Sequence, residues 1–456
     1  MMPMDSRCMV EPPNAKRLAA GRGQRNRRKT REATMSCRAE GGGRTLLSSD
    51  MAKRFAISRS EGGGTMRDVH PVSRRALLLG VAGLATAGAL SIPRNAHAAP
   101  SAATRPPLWR FARPNGLAFG TSAATWQLTD TTYRQLVNRE AALLFTEDDL
   151  LWYRLKPTPD AELDFTYADE VIAYAEAQQM AVFGAHLVWD EGFGEGWTED
   201  DLWGLGEQEA RELLYGTVDA VVRRYRGRVG TWSVANEVTS PEGRRGYRTD
   251  VPWWQTIGRP YVADTFHVAH AADPEATLVL NEFGFETVNE WGDEPGPRRR
   301  ATLQVIDDLI GQGVPVHALG VQAHLLADQF ADRFHAKAYL NWFSQVADRG
   351  LDILITELDV LDDGLPADIA TRDAAVADVY RRYLDVALSH RAVKSVIAFG
   401  LSDRYTWLEE DYPREDGAPR RPLAFDAELA PKPAHRAIAT QLGDAPRRAP
   451  LRSLLP

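Results

Sequence analysis

The chain has 456 residues, 44% of them hydrophobic and 25% charged, a globular composition long enough to bury a sizeable core rather than a fibrous or low-complexity one. The formal net charge of −8 hides an asymmetry: residues 1–98 carry 18 Lys and Arg against 7 Asp and Glu, leaving 36 and 55 for the rest. A remainder that acidic disfavours nucleic acid and anionic membrane as partners and suits a neutral substrate.

Residues 1–65 are rich in Arg and Gly and lack apolar periodicity, so they are expected to be disordered. A basic nucleic-acid arm is one reading of that run. A start codon assigned too early, with Met66 the true start, is the simpler one. Residues 66–98 have the three parts of an export signal: a charged start, an apolar run over 76–90, and Ala96-His97-Ala98 before Ala99-Pro100. The run falls short of the ~20 residues a membrane span needs, so no stable membrane association is expected. Ser73-Arg74-Arg75-Ala76-Leu77-Leu78 resembles a twin-arginine signal. That resemblance implies the twin-arginine export machinery as a partner, cleavage of the signal, and a periplasmic or extracellular destination. The only cysteines, Cys8 and Cys37, lie in this leader. Without it the chain has no thiol for a disulfide or a Cys-ligated metal.

From residue 99 onward, short apolar runs alternate with amphipathic stretches of helical length. Strands are predicted at 116–120, 141–145, 181–188, 230–235, 277–281, 319–323, 352–356 and 395–401. Helices are predicted at 167–179, 207–226, 260–271, 298–312, 336–348 and 370–390. Eight strand–helix units with no repeat or linker predict one α/β domain over 99–456, a single (β/α)8 TIM barrel following a cleaved export signal. The open doubly wound sheet is the rival, but no Gly-rich phosphate loop follows the first strand. In a barrel, the residues at strand C-termini share one mouth. That gathers Glu147, His186, Trp189, Asn236, Glu237, Asn281, Glu282, Gln322, His324, Glu357, Asp359, Asp403 and Trp407.

Two of these carry the chemistry. The run 229–235 leads to Asn236-Glu237, and Ile353-Leu354-Ile355-Thr356 ends on Glu357. Two facing carboxyl groups are what glycoside cleavage requires, one to protonate the departing oxygen and one to attack or activate water. The amides and indoles around them suit a sugar, whose hydroxyls take hydrogen bonds and whose C–H face takes a ring.

The order and spacing of these pieces, from about residue 116 to 435, resemble glycoside hydrolase family 10, the retaining endo-1,4-β-xylanases. Residues 232–238 (WSVANEV) look like the family's WDVVNEA, 355–360 (ITELDV) match it outright, and 320–325 (GVQAHL) are similar to GFQSHL. The resemblance implies that Glu237 is the acid/base and Glu357 the nucleophile. It also implies that Gln322 and His324 flank the nucleophile, Asp359 orients His324, and Asn236 holds the 2-hydroxyl of the cleaved sugar. Glu147, Asp148, His186, Trp189, Asn281, Phe399 and Trp407 are the implied substrate contacts. The implied partner is a β-1,4-linked polysaccharide or oligosaccharide, most simply xylan, cut by a monomer that needs no cofactor and no metal.

The departures lie in the sugar pocket. The family's ENEMKW reads Glu147-Asp148-Asp149-Leu150-Leu151-Trp152, replacing an Asn and a Lys. GHTLVWH reads Gly184-Ala185-His186-Leu187-Val188-Trp189-Asp190, so Ala185 stands at the site His; Phe399 replaces a Trp. Each lost hydrogen bond is worth ~1 kcal/mol, so binding of plain xylan on the non-reducing side is expected to weaken. His186 can substitute only if the strand departs from regular alternation. Three alternatives stay open. One is a catalytically inactive carbohydrate-binding barrel, and another a retaining β-glycosidase acting on a different glycan. The third is a metal-dependent hydrolase using His186 and His324, which no H-x-H or HExxH spacing supports. Asp148, Asp190 and Glu191 are candidates for a small calcium site, though no spacing rule joins them.

Overall fold

Side chains alternate across a strand, and here both faces are apolar. In the computed structural model, which describes residues 105–289 and 292–455, the alternation sorts residues into two cores. Leu143, Phe145, Phe183, Val279, Leu354 and Ile397 fill the inside of a cylinder. Leu144, Val182, Trp232, Leu280, Ile353 and Val396 face outward onto helices, meeting Val171, Val218, Phe266, Ile306, Phe343 and Tyr380. The leader and the signal predicted over 1–98 lie outside the described residues.

The strands are β1 (Ala118–Ser122), β2 (Leu143–Phe145), β3 (Ala181–Gly184), β4 (Thr231–Asn236), β5 (Thr239–Arg244), β6 (Thr277–Glu282), β7 (Ala318–Val321), β8 (His324–Leu326), β9 (Asp352–Leu361) and β10 (Val393–Ala398). Eight of them pair in parallel in the order β10-β1-β2-β3-β4-β6-β7-β9, and β10 also pairs with β9, which closes the barrel. The eight predicted strands are these eight, within a few residues. The six predicted helices are present as Thr166–Ala177, Glu207–Arg224, Pro260–Ala272, Pro295–Gly311, Ala336–Ala347 and Ile369–Ser389. Two more, Thr131–Glu140 after β1 and Pro433–Asp444 after β10, complete the outer layer. Both carry only a few large apolar residues, which hid them from a periodicity reading.

Two additions shape the mouth. β5 starts a hairpin after β4, with Thr239 and Arg244 bridging to Tyr247. β8 pairs with the outer half of β9, His324 opposite Asp359. β9 therefore runs past Glu357 to Leu361 instead of ending on it, a correction to the predicted boundary. Among the described residues no helix is long and apolar enough to cross a membrane.

Candidate active site

The C-terminal ends of the strands surround a cavity of about 360 Å³, lined among others by Glu147, Asp148, His186, Trp189, Asn236, Glu237, Gln322, His324, Glu357, Phe399 and Trp407. That size suits a small ligand or part of a polymer. Local backbone sets the aim of several side chains. Glu147, Glu237 and Ala323 have φ of 42°, 57° and 62°, a left-handed region that costs a non-glycine residue energy and that clusters at functional sites. At Ala323 this turn separates β7 from β8 and delivers His324 to the mouth.

The two carboxylates are joined by a relay of amides. Gln322 Nε2 donates to Glu237 Oε1 at 2.9 Å and to Asn236 Oδ1 at 3.2 Å. Asn281 Nδ2 donates to the same Asn236 oxygen at 2.8 Å and to Glu357 Oε1 at 2.7 Å. Thr356 Oγ1 donates to Asn281 Oδ1 at 2.8 Å, which fixes that amide's orientation. With two donors on its oxygen, Asn236 is left presenting its NH₂ toward the cavity. Trp189 Nε1 donates to Glu237 Oε2 at 3.1 Å. His324 Nε2 lies 3.2 Å from Glu357 Oε2, and its Nδ1 2.8 Å from Asp359 Oδ1. Trp407 Nε1 takes the other Asp359 oxygen at 2.7 Å.

Burial alone would raise the Glu357 pKa, but the hydrogen bond from His324, the nearby His186 and the Asn281 donor together hold it below the usual carboxylate range. Burial opposes a charge on His324 too, yet Asp359 and Glu357 carry its pKa well above the ordinary imidazole value. His186 goes the other way, its pKa lowered by burial. Its Nδ1 meets Ser233 Oγ at 2.7 Å and its Nε2 stands 3.8 Å from Glu357 Oε1. Regular pairing of β3 stops at Gly184 and resumes at a Val188–Ala235 bridge. Strict alternation is thus broken, and His186 reaches the wall.

Gln322 flanks Glu357 through its main chain, its carbonyl accepting from the Glu357 backbone N–H at 3.0 Å, while its side chain turns to Glu237; His324 meets the Glu357 carboxylate. Two expected placements change. Asn281 is fully buried beneath the cavity, where it holds Glu357 and does not line the wall. Asp148 accepts from Trp126 Nε1 at 2.9 Å and Asp190 pairs with Arg248 at 2.8 Å, so those carboxylates are not gathered as a calcium cage. Two further strand-end residues expected at the mouth are not among those that line the cavity. Glu282 accepts from the Thr239 backbone N–H at 2.8 Å, and burial pushes its pKa to about 8. Asp403 pairs with Lys432 at 2.9 Å. Sequence reasoning missed Arg248, which sits beside Asp190 and Glu191 on the wall near Glu237. It lies in a long loop, where no periodicity marks which side chains turn inward.

A closed parallel barrel holding two carboxyl groups on an amide relay at its mouth is a hydrolase of the carboxylate-pair class. The sequence model of glycosyl hydrolase family 10 matches residues 108–441, and the chain belongs to that family. It is 29% identical over 325 residues to endo-1,4-beta-xylanase B of Thermotoga neapolitana, covering 71% of this chain and 87% of that one. Native xylanase 10B from Thermotoga maritima superposes with a TM-score of 0.65 at 28% identity, covering 74% of this chain and 98% of the other. Xylanase 10B from Thermotoga petrophila RKU-1, solved in complex with xylobiose, gives 0.64 at 27%, covering 74% and 97%.

Proposed function

We propose that this glycoside hydrolase cleaves β-1,4-linked xylan by double displacement, with Glu237 as acid/base and Glu357 as nucleophile. The observation that carries the reading is the relay Glu237–Gln322–Asn236–Asn281–Glu357, which ties both carboxyl groups to one cavity. Glu357 is kept ionised by His324 and Asn281 and attacks the anomeric carbon. Glu237 protonates the departing oxygen, and then, as the base, takes a proton from the water that releases the sugar. Asn236 donates to the 2-hydroxyl of that sugar, and Asp359 and Trp407 keep His324 turned toward Glu357. The xylanase relatives support xylan as the substrate. Residues 99–456 form the catalytic domain. The sequence of residues 66–98 supports twin-arginine export with signal cleavage, and residues 1–65 are read as a leader outside the mature enzyme.

The test is reducing-end release from xylan, with anomeric NMR of the first product. Retained β-product is expected, with activity falling at least 10³-fold in Glu357→Ala. Inverted product overturns the double displacement. A second reading has its own support. Leu151, Asp148 and Phe399 line the cavity in place of the Lys, Asn and Trp of the family pattern. Failure of every xylo-oligosaccharide, together with cleavage of another β-1,4-glycan, would favour that reading over xylan.

A further inference from the structure

An acid/base carboxyl group has to be aimed at the departing oxygen, and the backbone that carries it here is strained. Glu237 has a φ of 57°, a conformation that costs a glutamate energy and persists only where its surroundings over-determine it. The N–H groups of the turn show what holds it. Asn236 donates to the Val188 carbonyl at 2.9 Å and Glu237 to the Asn281 carbonyl at 3.0 Å. Thr239 donates to Glu282 Oε1 at 2.8 Å. Of these three acceptors the last alone belongs to a side chain, so it is the one a substitution can remove.

Strand register puts Glu282 in that place. β4 and β6 pair in parallel with Asn236 opposite Asn281, and successive side chains leave a strand on opposite faces. Asn281 turns toward Asn236 and Glu357. Glu282 turns the other way and meets Thr239 at the start of β5. The Thr239 carbonyl accepts from Arg298 Nη1 at 3.3 Å, and its hydroxyl meets Thr302 Oγ1 at 3.3 Å. Thr239 is thus gripped from β6 and from the helix Pro295–Gly311 that follows it.

Glu282 is fully buried, and its Oε2 has no hydrogen-bond partner among the described residues. Burial pushes its pKa to about 8, against the pull of Arg298. At neutral pH the carboxyl group is therefore mostly protonated, and Oε1 accepts much as an amide oxygen would.

We propose that Glu282 is a positioning residue for the acid/base: by holding the Thr239 N–H it fixes the turn that aims Glu237, without itself reaching the cavity. The inference rests on the assignment of Glu237 as the acid/base.

Help from a general acid matters most where the leaving group departs with difficulty. The test measures kcat/KM on two aryl β-xylobiosides. One carries a dinitrophenyl leaving group, which departs without a proton, and the other a phenyl group, which needs one. Glu282→Met removes the acceptor at similar volume. It is expected to lose at least about tenfold on the phenyl substrate and to stay within about threefold of wild type on the dinitrophenyl one. Thr239→Pro removes the donor instead, at the first residue of a strand, where proline is tolerated, and is expected to show the same phenyl-selective loss. It decides the matter where Glu282→Met does not fold. Glu282→Gln keeps an acceptor oxygen and is expected to stay within about threefold of wild type on both substrates. Equal losses on the two substrates in Glu282→Met and Thr239→Pro, or a phenyl-selective loss in Glu282→Gln, overturn the proposal. Glu237→Ala is measured alongside. An equal loss on both substrates there would remove Glu237 from the acid/base role. A phenyl-selective loss there, with none in Glu282→Met or Thr239→Pro, would sink this inference alone.

Discussion

Asp359 is buried and does not line the cavity, yet the acid side of the pH profile should depend on it. Its two oxygens hold His324 and Trp407, and its charge is the leading cause raising the His324 pKa. His324 in turn supplies the hydrogen bond that most lowers Glu357. In the proposed mechanism Glu357 attacks as the carboxylate, so the acidic limb of kcat/KM is expected to follow that group. In Asp359→Asn the imidazole loses its anion, its pKa falls, and it supports the Glu357 carboxylate less. The Glu357 pKa rises, and the acidic limb moves to higher pH. A limb that stays put would remove His324 from the set that tunes the nucleophile. Both glutamates were legible from sequence because each follows an apolar run and sits in a specific motif. Arg248 was not, because a loop side chain gives no signal of where it points until the chain is folded around it.

At the level of strands, the relay depends on a residue with no side chain. Gly320 of β7 pairs with Asn281 of β6, and a Cβ at Gly320 would stand 2.1 Å from Asn281 Oδ1 and 3.2 Å from its Cβ. Asn281 is fully buried and bonded to Asn236, Thr356 and Glu357, so it has no slack to yield. Gly320→Ala should therefore cost about 1–3 kcal/mol of stability by overpacking. It should also lower kcat at least tenfold, because displaced Asn281 leaves Glu357 without its 2.7 Å donor. Steady-state kinetics alongside urea unfolding separate the two effects. A stability loss with kcat intact would mean that Asn281 is packing alone. The regular parts of the barrel were readable because strands buried on both faces are continuous apolar runs. β8 was not, because three residues after a positive-φ alanine carry no periodicity. Only its pairing with the extended β9 makes it a strand.

The molecule as a whole separates its chemistry from its closure. The site lies at the C-terminal ends of the strands, while the last described segment seals the opposite end. Ser453 Oγ meets Thr231 at 3.0 Å and Thr277 at 2.8 Å, the first residues of β4 and β6. The Arg448 guanidinium donates to the carbonyls of Leu388, His390 and Val393 at 2.7–3.0 Å, beside the entry to β10. Leu454, 1% exposed, joins the inner core with Leu143, Phe183 and Leu354, so it stops the cylinder from below. Truncating such a side chain removes its transfer free energy and leaves a void that strands cannot collapse into without breaking their pairing. Leu454→Ala is expected to lower the free energy of unfolding by about 2–5 kcal/mol, a large share of the 5–15 kcal/mol typical of a domain. Because the void opens at the far end of the barrel from Glu237 and Glu357, kcat of the folded fraction at 25 °C should stay within about twofold of wild type. Chemical denaturation beside kinetics tests both halves. A variant that kept its stability and lost turnover would mean that the two ends are coupled through the inner core, and that the tail belongs to the catalytic apparatus rather than to the closure of the barrel.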